Sequence, residues 1–239
     1  MPDKRTHRGP HPSDSKLFSA DKVPVLRAAV GDYSLLLSKG YADKSALKLV
    51  GDRFSLIKRQ RLAVMRSSCS DRHLTSRNQS RININDLKDK SIAIDGYNLL
   101  ITIEAAMSGA VIFKGRGGCF RDLASIHSTY RRVAETIPAV ELIGTFLKEV
   151  NPRRVLWLLD SPVSNSGRLK TLISEMAVKN NWNWGVKLAI SPDKELKETD
   201  SVVVTTDSVI LDSCSQWTNL AAEIITERIK DAWIVDLSN

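Results

Sequence analysis

Three aspartates in this 239-residue chain stand where an α/β protein most easily assembles chemistry. Ile92-Ala-Ile94 runs into Asp95, Val155-Leu-Trp-Leu-Leu159 into Asp160, and Val202-Val-Val-Thr-Thr206 into Asp207. Each is a short apolar run of strand length that closes on a carboxylate. In a parallel sheet all strand carboxyl ends share one edge, the edge at which such folds bind ligands. Adjacent strands would therefore bring the three together. Carboxylates that close raise one another's pKa, because neither tolerates a second negative charge. A hard divalent cation relieves that conflict, and an all-oxygen donor set suits Mg²⁺ or Mn²⁺, which keep waters and bind phosphate. Such an ion activates a water and stabilises charge developing on phosphorus, so the expected substrate is a phosphodiester. Asn98, three residues after Asp95, is placed to face the same crevice, and Ser161 to orient ligand or phosphate. Ser164, Asn165 and Ser166 either cradle phosphate at a helix start or act as turn and cap residues. Taken singly, each aspartate has an equally ordinary reading as a helix cap or turn former.

The elements that would position these residues follow from periodicity. Residues 1–20 have the composition of a disordered basic tail. Val25, Leu26, Ala29, Val30, Tyr33, Leu36 and Leu37 make one helical stripe stopped by Gly40. Asp43 opens a second helix that ends at Gly51. A third, from about Phe54 to Met65, carries Lys58, Arg59, Gln60 and Arg61 on its polar side. These give a small three-helix domain over residues 21–70. Its basic face is either a nucleic-acid contact of helix-turn-helix type or a solvated packing surface. Ser67 to Asn85 reads as linker, with the linker set at 71–87 and an α/β domain at 88–239.

Within that domain a helix from Tyr97 to Met107 precedes a hairpin around Lys114-Gly-Arg-Gly-Gly118. The turn lacks the GxxxxGK[ST] pattern of a phosphate loop. Its Lys114 and Arg116 form a cationic tip or an ordinary surface turn. Helices over Asp122–Ala134 and Ala139–Val150 come next, the first gathering Arg121, His127, Arg131 and Arg132, with His127 read as structural. A helix over Arg168–Lys179, a strand over Val186–Ile190, a loop over Ser191–Asp200, a helix over Trp217–Lys230 and a strand at Trp233–Val235 complete the pattern. Strands alternating with helices argue for a Rossmann-like parallel sheet flanked by helices.

Composition narrows the setting. The longest apolar runs fall far short of the roughly 20 residues that span a bilayer, and the amino terminus lacks the apolar core of a secretory signal. Cys69, Cys119 and Cys214 lie far apart without CxxC spacing, as reduced thiols of a cytoplasmic protein do. Cys69 with His73 is too small a set to specify a metal. The net charge of +8 divides into +10 over residues 1–85 and −2 over residues 86–239, which suggests a polyanion-binding front half.

The stretch Ile94-Asp95-Gly96-Tyr97-Asn98-Leu99-Leu100, with Leu159-Asp160 and Thr205-Thr206-Asp207-Ser208, resembles the PIN-like ribonuclease superfamily. It is closest to the NYN-type branch, whose first strand ends in Asp-x-x-Asn, and the likeness spans about residues 88–239. The N-terminal helices resemble a small helical domain that precedes such a domain in an uncharacterised prokaryotic family. The resemblance implies a metal-dependent endoribonuclease. Asp95 matches the first-strand aspartate, Asp207 the aspartate of the late Thr-x-Asp strand, and Asp160 the middle strand end. A fourth acid normally completes the set. Glu104, Asp122, Asp200 and Asp212 compete for that place, with Asp212 taken as the fourth metal ligand. RNA would be held by Asn98, Ser161, Ser164, Lys114, Arg116, Arg121 and Arg131, aided by the basic helices. The alternative is a catalytically incomplete PIN-like module that binds RNA or a ribonucleoprotein. A phosphatase-like enzyme is the third reading, weakened because Asp95-Gly-Tyr lacks a paired Asp-x-Asp.

Overall fold

A computed structural model describes residues 7–124 and 129–238. Five helices lead, α1 (Asp14–Leu17), α2 (Val23–Ser38), α3 (Asp43–Arg53), α4 (Lys58–Ser67) and α5 (Asp71–Ser80). A 3₁₀ turn then precedes β1 (Ser91–Asp95), α6 (Gly96–Met107), the hairpin β2 (Ile112–Lys114) and β3 (Phe120–Arg121), α7 (Thr136–Val150) and β4 (Arg154–Asp160). There follow α8 (Ser166–Lys179), β5 (Trp184–Ala189), α9 (Pro192–Glu198), β6 (Val202–Val204), α10 (Ser208–Leu211), β7 (Trp217–Thr218), α11 (Leu220–Arg228) and β8 (Ile234–Asp236). The fold is α/β: a parallel sheet in the order β5-β4-β1-β6-β7, flanked by helices and preceded by a helical region. A second sheet, β3-β2-β8, joins the hairpin to the last strand.

A parallel sheet must be covered on both faces, and the period of two sorts β1 accordingly. Ile92 and Ile94 pack with Val155, Trp157 and Leu159 of β4 against α6, α7, α8 and α11. Ala93, with Leu158 and Val203, faces the thinner cover of α9 and α10 through Leu196, Ile210 and Leu211. The chain leaves β1 for β4 on one side and returns to β6 on the other. The sheet's switch point therefore lies at β1, and a crevice opens beyond its carboxyl end.

The helical region and the second sheet share one core. Phe18, Leu26, Val30, Tyr33 and Val64 pack with Phe113, Leu123, Val235 and Leu237, and the rings of Phe18 and Phe113 meet edge to face at 4.8 Å.

Several expectations need correction. Residues 7–20 are not a loose tail: Asp14 is fully buried and takes both Arg59 Nε at 2.5 Å and Arg59 Nη2 at 2.7 Å. Residues 71–80 are a helix rather than linker, started by the Ser70 hydroxyl accepting from His73 N at 3.2 Å. Its sequence is almost wholly polar, so only distant partners reveal it. The third helix starts at Lys58, because Ser55 at φ +51° belongs to the preceding turn. Asp122–Ala124 and Thr129–Val133 are not helical, and His127 lies outside the described residues. The expected loop Ser191–Asp200 contains α9, with Pro192 in its first turn. Trp217 sits on a strand, and the helix behind it begins only at Leu220. Among the described residues no helix is long and apolar enough to cross a membrane.

Candidate active site

The register of the sheet sets the floor of the site. Ile94 of β1 pairs with Val204 of β6, so Thr205 comes level with Asp95. Thr205 Oγ1 donates to Asp95 Oδ2 at 2.8 Å, and the amide of Asn98 donates to Asp95 Oδ1 at 3.4 Å. Asp95 is thus the N-cap of α6 as well as the end of the central strand. Asn98 reaches across to β6: its Oδ1 accepts from Thr206 N at 2.8 Å and Thr206 Oγ1 at 3.0 Å. Asp207 caps α10, its Oδ1 accepting from Val209 N at 2.8 Å and Ile210 N at 3.3 Å. Capping and clustering are therefore compatible roles here, since each carboxylate keeps further lone pairs.

Gly96 makes the junction possible. A Cβ at that position would stand 2.8 Å from the Leu158 carbonyl oxygen and 2.5 Å from Leu159 Cδ2. Gly96→Ala is expected to push the start of α6 away from β4, costing about 1–3 kcal/mol, as overpacked sites do. A fall in melting temperature read by calorimetry checks it, and an unchanged melting temperature would refute it.

Asp95, Asp160 and Asp207 line a single cleft of about 1010 Å³, and Asp193 lines it with them. Burial pushes Asp95 up. The charges of Asp207 and Asp193 add to this, the hydrogen bonds from Thr205 and Asn98 pull partly back, and the carboxyl stands at about 7. Asp160 is also raised, by burial and then by Asp193. Among the described residues none of these four carboxylates has an ion pair with Lys, Arg or His. Arg121 lies within electrostatic reach of Asp207 without pairing with it, and the oxygen donors with the remaining negative charge fit a hard divalent cation. As the side chains stand, no group of three His, Cys, Asp or Glu among the described residues is arranged to enclose an ion.

Asp193 is the functional candidate that sequence reasoning missed. It enters at the start of α9, four residues beyond the end of β5, the neighbour of β4. The signal was present in Ser191-Pro192-Asp193, a helix start with proline and an acid in the first turn. The other contenders for a fourth acid are committed elsewhere. Asp122 lines the cleft, but its Oδ2 accepts from Thr102 Oγ1 at 2.8 Å and its Oδ1 from Ala124 N at 2.6 Å. Asp212 also lines it, with Oδ1 held by Arg77 Nε at 2.6 Å and Oδ2 3.1 Å from His73 Nδ1. Glu104 is fully buried under Arg8, Tyr130 and Thr136. Asp200 is exposed and does not line the cleft.

The expected phosphate-holding residues divide sharply. Asn98 and Arg121 line the cleft; Ser161, Ser164, Lys114, Arg116 and Arg131 do not. Arg121 donates from Nε to the Thr206 carbonyl at 2.7 Å and from Nη1 to the Arg66 carbonyl. Its Nη2 is buried with no hydrogen-bond partner, and burial holds the guanidinium below its usual pKa. Lys114 instead pairs with Asp236 at 2.9 Å. Arg116 pairs with Asp71 at 2.5 Å and bonds the Cys69 carbonyl at 3.0 Å, so the cationic tip clamps the hairpin to the helical region. Ser161 and Ser164 are exposed and contribute backbone hydrogen bonds, Ser161 N to the Ala189 carbonyl and the Ser164 carbonyl to Tyr130 N. The basic face of α4 is likewise spent internally. Arg59 is on Asp14, Gln60 bonds the Leu17 carbonyl at 3.1 Å, and Arg61 pairs with Asp52 at 2.7 Å. The helical region meets the cleft through Tyr33, Tyr41, Met65, Arg66, His73 and Arg77, which face the acidic floor from the other side.

The family described as Domain of unknown function (DUF5616) matches residues 84–223, and that described as Protein of unknown function (DUF434) matches residues 25–79. An uncharacterized protein of Methanocaldococcus jannaschii, MJ0935, is 32% identical over 188 residues, covering 79% of this chain and 89% of its own length. No solved structure matches the chain. The cleft takes its walls from both matched segments.

Proposed function

Because the chain belongs to the DUF5616 family, whose description carries no activity, we propose its function from the cleft: a divalent-metal-dependent endoribonuclease of PIN-like type. The observation that carries this reading is the set of four carboxylates that, among the described residues, form no ion pair, centred on Asp95 at the switch point of the sheet. Asp95, Asp160, Asp193 and Asp207 are the residues that would hold the ion, with Asp193 in the place that Asp212 was expected to fill. When bound, Mg²⁺ or Mn²⁺ would supply Lewis acidity to a phosphodiester and lower the pKa of a water. The chain's own residues do the rest. Asn98 holds the β6 end against α6, which fixes the spacing between Asp95 and Asp207. The buried Nη2 of Arg121 has an unmet donor beside the cleft, which a phosphate oxygen could satisfy if the side chain turned outward, and charge-assisted bonds of that kind are the strong ones.

Titration of Mn²⁺ followed by calorimetry tests the reading. The parent is expected to bind and Asp95→Asn to lose about tenfold or more in affinity, since one carboxylate oxygen set leaves the site. Equal binding by both proteins would remove the ion from the strand-end aspartates.

A second reading is an RNA- or ribonucleoprotein-binding module on the same fold. It is favoured by the absence, among the described residues, of three acids already disposed around an ion. Metal-independent protection of RNA without cleavage would select it.

A further inference from the structure

One pair of cleft residues is left unused by the reading above. His73, on α5, points a half-exposed side chain at the cleft, and its Nδ1 lies 3.1 Å from Asp212 Oδ2. Asp212 is in turn fixed by Arg77, which is 3% exposed and bonds the second carboxylate oxygen at 2.6 Å. The Arg77 carbonyl accepts from Trp217 Nε1 at 2.7 Å, and Trp217 is fully buried in the main sheet. A histidine on a mostly polar surface helix would ordinarily be free to rotate. This one is braced through three further residues down to the sheet.

The placement relative to the acidic floor is also specific. Asp207 and Asp212 cap the two ends of α10. Five residues of helix rise about 7.5 Å, so Asp212, the carboxylate beside His73, is set roughly that far along the helix axis from Asp207. Asp212 lies on the Nδ1 side of the ring, which leaves Nε2 as the nitrogen turned away from that carboxylate.

We propose that His73, oriented by Asp212 across the cleft from Asp95, Asp160, Asp193 and Asp207, is the general acid that protonates the leaving oxygen of the phosphodiester. The inference rests on the hydrolase reading of the same cleft and adds the group that reading lacks. In the step, a bond forms between the water oxygen and phosphorus as the bond from phosphorus to the leaving oxygen breaks. The proton on His73 Nε2 passes to the leaving oxygen, giving a free hydroxyl. The attacking water gives its proton to a floor carboxylate, and the half-exposed imidazole regains one from solvent. Asp212 and Arg77 act as positioning residues. The helical region is then part of the catalytic site, because it supplies the acid.

Comparing two substrates tests this without depending on fold. The full chain and His73→Gln are assayed with Mn²⁺ on an end-labelled mixed-sequence oligoribonucleotide and on bis(p-nitrophenyl) phosphate, whose leaving group departs as a stable anion. A general acid typically contributes about 10²–10⁴-fold, so RNA cleavage should fall by about that factor while the activated diester changes by less than about threefold. Asp212→Asn should show the same split at smaller amplitude. Equal losses on both substrates, or none on RNA, would overturn the assignment of His73. A parent protein inactive on both would instead overturn the hydrolase reading, and this inference with it.

Discussion

Asp95→Asn should melt at a higher temperature than the parent at neutral pH while losing RNA cleavage altogether. The folded-state pKa of Asp95 stands at about 7 against 3.8 for the unconstrained group. A carboxyl raised by folding binds its proton more tightly in the native state, so below about pH 4 it costs nothing. As pH rises from about 4 to about 7 the unfolded chain gives up that proton first, and native stability is lost progressively. The full linkage over that interval is about 4 kcal/mol at 1.36 kcal/mol per unit, an upper bound because the group opens onto the cleft. The neutral amide keeps an oxygen for Thr205 and carries no charge to set against Asp207 and Asp193. We expect a gain of about 1–3 kcal/mol at pH 7.5 and almost none at pH 4, or about 2–4 °C per kcal/mol for a domain of this size. Melting both proteins in EDTA across that pH range reads the difference directly. Parallel curves would mean that Asp95 is unstrained and that the cleft does not need a cation. A gain in stability with a loss of cleavage would set the two against each other at this residue, as at sites built to do work on a ligand.

The second large effect is at Arg77. Arg77→Met should destabilise the protein by about 2–4 kcal/mol, somewhat below the range for breaking a fully buried ion pair because Asp212 keeps some contact with water. The loss has two parts: Asp212 is left charged without its principal partner, and α5 loses its one deeply buried side chain. The double variant Arg77→Met with Asp212→Leu should recover much of the stability, since removing both charges leaves nothing to desolvate. Urea unfolding of the parent, the two singles and the double gives the coupling. A single Arg77→Met as stable as the parent would show that α5 is held by something else.

What could be read from the sequence was the part built from local signals. The apolar run ending in Asp95 and the 3.6-residue spacing behind it gave β1 and α6 to within a residue, and the Gly-rich turn gave the β2–β3 hairpin. The convergence of Asp95, Asp160 and Asp207 followed from strand order, because β4 and β6 are the two neighbours of β1. What escaped were features fixed by partners far away in the chain. Arg59 and Arg116 read as either a surface for a polyanion or an ordinary solvated face, and each proves to be paired with an acid 45 residues away, Asp14 and Asp71. Charge counting along a sequence cannot see such pairs. Asp193 was hidden inside a segment too short and too charged to show helical periodicity, and the hold of Arg77 on Asp212, from 135 residues away, has no local signal.

The core shared between the N-terminal helices and the last strand has a consequence for how the molecule is made. Leu26, Val30 and Val64 bury themselves against Val235 and Leu237, which leave the ribosome after almost everything else described here. Helices α2, α3 and α4 pack on one another first, but the face they turn toward Phe113, Val235 and Leu237 stays open until β8 completes the small sheet. A cut near residue 80 would therefore separate two incomplete halves rather than two modules. His73 lies on one side of such a cut and the floor aspartates on the other, so the cut would part the two walls of the cleft as well.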